Sequence, residues 1–183
     1  MGYSVPLLRF PGRALPDVVA SFAAFIAISP SYCHDTETFI DGIALRTTAG
    51  EAEEIEIRGH VDFLKDLLGP PDSPLGTAVA GRHEVAPSFF DDDTLIDVLS
   101  GGDPYGSPRN HFHGPPRYLR PPEVAETSAA LQAFDATSAL AERPDIRDAF
   151  EDGLDTYLQG FEAVRRFYRV AAEEEQAVFM YSG

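Results

Sequence analysis

Apolar residues recur at three- and four-residue steps in several stretches of the chain, and this spacing predicts amphipathic helices that each bury one side. The predicted helices cover residues 15–26, 60–68, 123–134 and 154–172. The last is the longest, and its buried stripe consists of Leu154, Leu158, Phe161, Val164, Tyr168 and Ala171. A long amphipathic helix near the C-terminus is therefore the clearest element that the sequence predicts.

Two stretches near the N-terminus have the composition of β-strands. Residues 3–10 are mostly apolar, but Pro6 lies among them and cannot donate a ladder hydrogen bond, so we predict an edge strand or a bulge. Residues 39–48 are interrupted by Asp41-Gly42, a dipeptide that favours the tight turn of a β-hairpin.

Two further strands are predicted from opposite patterns. Residues 55–58 alternate apolar and charged side chains, which predicts a half-exposed strand, and the acidic residues 51–54 before it are expected on a solvated face. Residues 177–181 are apolar on both faces, which predicts a central strand. The patterns together predict an α/β (α+β) fold: a single domain over residues 1–183, with a mixed β-sheet flanked by helices.

Residues 88–113 have no regular pattern. They combine the acidic run Asp91-Asp92-Asp93 with a stretch rich in glycine and proline, residues 101–108. We predict a long irregular loop or an insertion there, a kind of segment that often carries function.

The net charge of the chain restricts its partners. The 183 residues carry a formal charge of −16, which opposes binding to nucleic-acid phosphates and to anionic membrane surfaces. A basic protein partner would be attracted over long range. The same acidity also serves solubility or reflects an acidic source proteome, and the charge alone favours this simpler explanation.

Cys33 is the only cysteine, so an intrachain disulfide is impossible and a reducing compartment is expected. The apolar run at residues 18–28 follows Asp17, has no small-residue cleavage site after it and is too short to span a bilayer. We therefore expect a cytoplasmic protein without a membrane segment.

Residues 114–124 have the proline-flanked sequence Gly-Pro-Pro-Arg-Tyr-Leu-Arg-Pro-Pro-Glu-Val. The prolines predict an extended piece that leads into the first turn of a helix. Arg117 and Arg120 would then lie at a helix N-terminus, where a phosphate or carboxylate ligand binds readily. The alternative is structural: Glu123 satisfies the free N–H groups, Arg117 pairs with a buried carboxylate and Tyr118 packs inward. We favour the structural alternative because Glu123 competes for the same donors.

The histidines and the cysteine offer weaker chemistry. His111 and His113 share one face of an extended segment, and with His83 or the aspartates at 91–93 they resemble a set of metal ligands. No established metal-binding spacing supports them, so we predict no metal site and no cofactor. Cys33 and His34 are sequence neighbours, whereas catalytic dyads are assembled from distant positions. The chain has no nucleophile elbow, phosphate-binding loop or dinucleotide fingerprint.

Several of these segments resemble the YfbM-like family of small bacterial proteins, which carries a domain-of-unknown-function label. The family's Gly-Pro-x-Arg-Tyr-Leu-x-Pro-x-Glu-Val motif is matched at residues 114–124. Its tail motif, Phe-x-x-x-Arg-x-Phe-Tyr, is matched by Phe161, Arg165, Phe167 and Tyr168. The similarity is specific over residues 114–183, and it departs at Arg120, where serine or threonine is usual. The resemblance implies a mixed α/β fold and no established activity.

Two functions are compatible with these observations. The first is a non-enzymatic interaction protein whose acidic surface binds a basic protein partner, as an antitoxin or immunity-type protein does. The second is an enzyme or small-molecule-binding protein with a pocket between the 88–113 loop and the turn at Arg117. The ligand-binding candidates for that pocket are Arg117, Tyr118, Arg120, His111 and His113. We favour the first because no catalytic constellation is recognisable.

Overall fold

The computed structural model describes residues 4–21, 24, 36–40, 43–47, 52–68, 103–104 and 117–180. Its strands are β1 (Ser4–Pro11), β2 (Thr36–Ile40), β3 (Ile43–Thr47), β4 (Glu53–Arg58), β5 (Asp103–Pro104), β6 (Arg117–Leu119) and β7 (Gln176–Met180). Its helices are α1 (Leu15–Ala20), α2 (Val61–Leu68), α3 (Pro121–Ala133), α4 (Ala136–Glu142), α5 (Pro144–Ala149) and α6 (Leu154–Glu173). A turn of 3-10 helix, Gly12–Ala14, precedes α1.

The strands form one sheet in the order β2-β3-β4-β1-β7-β6-β5, and every described pair of neighbours is antiparallel. The predicted α/β (α+β) class and the interior position of the terminal strand are therefore confirmed, whereas the predicted mixed sheet is wrong, because the described strands pair only in antiparallel fashion. The predicted hairpin is confirmed as well, because β2 and β3 pair up to Ile40 and Ile43, with only residues 41–42 between them.

β1 lies in the middle of the sheet, between β4 and β7, so the predicted edge position is wrong. Pro6 is opposite Glu56 of β4, whereas the described pairing with β7 begins one residue later, at Leu7. Among the described strands, Pro6 therefore has only β4 as a neighbour. Its missing N–H does not interrupt the described ladder between β1 and β7.

Each face of the sheet carries an apolar core. On the face that we call the helical face, Leu7, Ile55 and Met180 pack with residues of α2, α3 and α6. The cluster on the opposite face consists of Leu8, Phe10, Leu15, Val18, Ala52, Ala177 and Phe179. Because each fully buried leucine or phenylalanine stabilises a fold by about 1.5–3 kcal/mol, both clusters contribute substantially to folding.

The helix predicted over residues 15–26 is interrupted at Ser21 in the structure, whereas Ala24 is helical, and residues 22–23 and 25–26 lie outside the described residues. α1 ends at Ala20, and Ser21 has an extended backbone with φ −146° and ψ 119°. The backbone N–H of Ala24 donates a hydrogen bond to the Ser21 hydroxyl oxygen at 3.4 Å. Serine favours such local bonds to the backbone over a place inside a helix, and this explains the interruption.

Candidate functional site

β6 and the first turn of α3 carry the proline-flanked segment that the sequence singled out. β6 lies between β5 and β7, with Arg117 opposite Met180 and Tyr118 opposite Phe179. Because successive residues of a strand point to opposite faces, Arg117 is on the helical face and Tyr118 is on the opposite face. The sheet therefore separates these two neighbouring candidates.

Arg117 is buried, with 7% of its surface exposed. It interacts with other groups of the protein, as a buried guanidinium must, because an unpaired charge is costly to remove from water. Arg117 is thus part of the packed layer beneath the helices.

Tyr118 and Arg120 lie together at the start of α3. Tyr118 is partly buried against the cluster on the opposite face, and the Arg120 guanidinium carbon is 5.8 Å from the centre of its ring. The backbone N–H of Arg120 donates a 2.8 Å hydrogen bond to Glu123, whose carboxylate also pairs with the Arg120 side chain at 3.5 Å. Arginine offers no oxygen as an N-cap, so Glu123 supplies one half of a capping box instead.

The ligand-binding role of Arg117, Tyr118 and Arg120 stays a prediction. The structure brings Tyr118 and Arg120 together and places Arg117 across the sheet from them. His111 and His113 lie outside the described residues, as do His83, Cys33 and the aspartates at 91–93. Within the described ranges, no group of three or more histidine, cysteine or acidic side chains could hold a metal ion.

Glu54 and Glu56 are buried, contrary to the solvated face and half-exposed strand that the sequence predicted. Glu54 has 0% of its surface exposed and Glu56 has 9%, and Leu8, the β1 residue opposite Glu54, belongs to the apolar cluster on the same face of the sheet. Both carboxylates interact with other groups of the protein.

His60, directly before α2, is also buried, with 4% of its surface exposed. Its ring meets Tyr157 edge-on with the centroids 5.2 Å apart, and Tyr157 in turn stacks on Phe63 at 5.2 Å. A Cβ atom added at Gly160 of α6 would lie 2.9 Å from His60 Nδ1. The sequence placed His60 only at the start of a helix, whereas in the structure His60, together with Phe63 of α2, contacts α6.

The tail motif that carries the family resemblance is structural. Phe161, Phe167 and Tyr168 are buried in the helical-face core. The Arg165 guanidinium lies 4.9 Å from the Phe161 ring centre, and it donates hydrogen bonds to the carbonyl oxygens of Leu131, at 3.0 Å, and Phe134. Arg165 therefore adds donors to the carbonyl groups at the C-terminal end of α3, where Leu131 also accepts a 3.4 Å hydrogen bond from the backbone N–H of Phe134.

Two exposed aspartates are held in their charged form. A hydrogen bond from the Ser138 hydroxyl, with backbone N–H donors of Ser138 and Thr137, lowers the pKa of Asp135 at the N-cap of α4. A hydrogen bond from the Arg143 side chain lowers the pKa of Asp145 at the start of α5.

Exposed carboxylates lie on α2, α4, α5, the turn after α5 and the first turn of α6, and these helices contact one another. We define the acidic face as Asp62, Asp66, Glu142, Asp145, Asp148, Glu151, Asp152 and Asp155, all of which are exposed. Arg143, which follows α4, connects that helix to α2 by donating a 3.3 Å hydrogen bond to the backbone oxygen of Asp66.

The acidic face is only partly neutralised. Arg143 pairs with Asp145 at 3.1 Å, and Arg147 pairs with Asp148 at 3.0 Å. In the described part of the chain, no basic side chain forms an ion pair with the carboxylates at 151, 152 and 155. The face therefore keeps an excess of negative charge.

None of the described helices is both long and apolar enough to cross a membrane.

Comparison with known proteins identifies a family and no activity. No curated protein and no solved structure matches the chain. A family model described as a domain of unknown function, DUF1877, matches residues 72–181, a range that includes both the proline-flanked segment and the tail motif. This match covers more than half of the chain, which therefore belongs to the DUF1877 family.

Proposed function

We propose that this protein is a non-enzymatic interaction protein that uses the acidic face to bind a basic protein partner. The observation that carries the proposal is the grouping of exposed carboxylates on α2, α4, α5 and the first turn of α6, with few arginines among them. A protein that masks a basic partner, as an antitoxin or immunity-type protein does, needs such a surface.

The charge of the whole chain supports the same proposal. A net charge of −16 attracts a cationic protein from a distance, and the acidic face then determines the orientation of the encounter. Exposed charges such as those of the acidic face mainly increase the rate of association, and this effect decreases as salt screens the charges.

The scaffold under the acidic face is suited to binding without rearrangement. Phe150 at the end of α5 contacts Phe63 of α2 and Tyr157 of α6, with ring centroids 5.3 and 5.1 Å apart. These aromatic contacts hold α2, the end of α5 and the start of α6 together. A pre-formed surface loses little conformational entropy on binding.

We further propose that the chain is a YfbM-like member of its family and that the encounter takes place in the cytoplasm. The two motifs at residues 114–124 and 161–168 support the first statement, and the single cysteine supports the second. The partner is a basic protein, because nucleic acid and anionic membranes would be repelled.

The test is capture of basic proteins from a lysate of the source cell at low and high salt. The immobilised proteins are the wild type and a variant with Asp148→Asn, Glu151→Gln and Asp152→Asn, which removes three charges from the acidic face. We expect the wild type to retain a basic protein that elutes as salt rises, and the variant to retain much less of it.

The matched control removes the same charge elsewhere. Asp17, Glu126 and Glu175 are exposed residues of α1, α3 and the turn before β7, and Asp17→Asn, Glu126→Gln and Glu175→Gln should leave capture nearly unchanged. Equal losses in both variants would mean that only net charge matters, and an empty wild-type column at low salt would end the proposal.

A second candidate function is binding of a small anionic ligand by the 88–113 segment and the turn at Arg117. The observation that favours it is the pairing of β5 with β6, in which Pro104 lies opposite Arg117. A segment of the predicted loop is thereby attached to the strand that carries the candidate arginine.

Its test is thermal unfolding in the presence of phosphate and simple carboxylates. A ligand at a hundred times its Kd stabilises a protein by about 2.7 kcal/mol, which is a measurable increase in Tm. We expect His111→Asn with His113→Asn to abolish the increase and His34→Asn, the control, to preserve it. No increase with any anion, or an increase that survives the double substitution, would contradict this second function.

A further inference from the structure

We draw no further inference here: the strongest candidate, the pair of buried carboxylates Glu54 and Glu56 on the face of β4 opposite the helices, is an acidic pair whose members already interact with other groups of the protein, and no second observation points to a ligand.

Discussion

β4 and β7 are both interior strands of one sheet, but their sequences have opposite patterns. Residues 177–180 of β7 are apolar on both faces and buried, as the sequence predicts. β4 alternates acidic and apolar residues, yet Glu54 and Glu56 are buried too. An alternating pattern therefore identifies the apolar face of a strand, but it does not reveal whether the other face meets water.

The difference has an energetic meaning. Burial of the apolar side chains of β7 stabilises the fold directly. Burial of the two carboxylates of β4 costs free energy because they lose their hydration, and interactions within the protein must offset that cost. Substitutions of Phe179 in β7 and of Glu54 in β4 separate these two contributions to stability, and we expect the larger effect in β7.

Phe179→Ala in β7 is expected to have the largest effect. Phe179 is fully buried on the face opposite the helices, and a buried phenylalanine replaced by alanine typically costs about 3–5 kcal/mol. Urea unfolding followed by circular dichroism would measure the loss. Val19→Ala, at an exposed residue of α1, is the control and should change stability by less than about 0.5 kcal/mol.

Glu54→Gln and Glu53→Gln compare neighbouring glutamates of β4. Glu54 is fully buried, and losing its charge should cost about 1.5–3 kcal/mol, the range for hydrogen bonds to charged groups. Glu53 pairs with Arg9 at 3.1 Å near the surface, and its substitution should cost less than about 1 kcal/mol. Chemical unfolding of both variants checks this, and equal effects would show that β4 is half-exposed after all.

Gly160→Ala tests the contact between His60, which follows β4, and the tail helix α6. The new Cβ would lie 2.9 Å from His60 Nδ1, and overpacking costs about 1–3 kcal/mol. Alanine favours a helix over glycine by up to about 1 kcal/mol, which offsets part of this cost. We therefore expect the free energy of unfolding to fall by about 1 kcal/mol. Combining it with His60→Asn makes a double-mutant cycle, and additive effects would argue against a clash at this contact.

Asp135→Ala is expected to have the smallest effect, since this residue is exposed at the N-cap of α4. The Ser138 and Thr137 donors lower the folded-state pKa of Asp135, so its contribution is complete above the unfolded-state pKa and is lost as pH falls through the folded-state pKa. The wild type should therefore unfold at a higher temperature than the variant at pH 7, and the gap should close in acid. A difference in unfolding temperature that increases in acid would contradict the lowered pKa of Asp135 in the folded state.

The tail shows how far the sequence predicted the structure. The spacing of Phe161, Val164 and Tyr168 predicted both α6 and its buried side, and all three are in the core. Local spacing is sufficient there because a helix places residues three and four apart on one side whatever surrounds it. The start of α3 was predicted for the same reason, since Pro121 and Glu123 act within one turn.

The candidate site was harder to predict because its geometry depends on strands distant in sequence. Arg117 and Tyr118 are separated by the sheet once β6 pairs with β7, and no local pattern contains that pairing. The acidic face is similar: its carboxylates come from α2 and from residues 142–155, which are brought together by tertiary contacts such as the hydrogen bond from Arg143 to Asp66.

The sequence by itself determined α2, α3 and α6, the hairpin at residues 41–42 and the interior place of β7, because each follows from short-range spacing or from an uninterrupted apolar run. The tertiary structure alone decided that β1 lies mid-sheet despite Pro6, and that Glu54, Glu56 and Arg117 are buried. Burial of a polar residue depends on which strands and helices cover it, and those neighbours are brought together only when the chain folds.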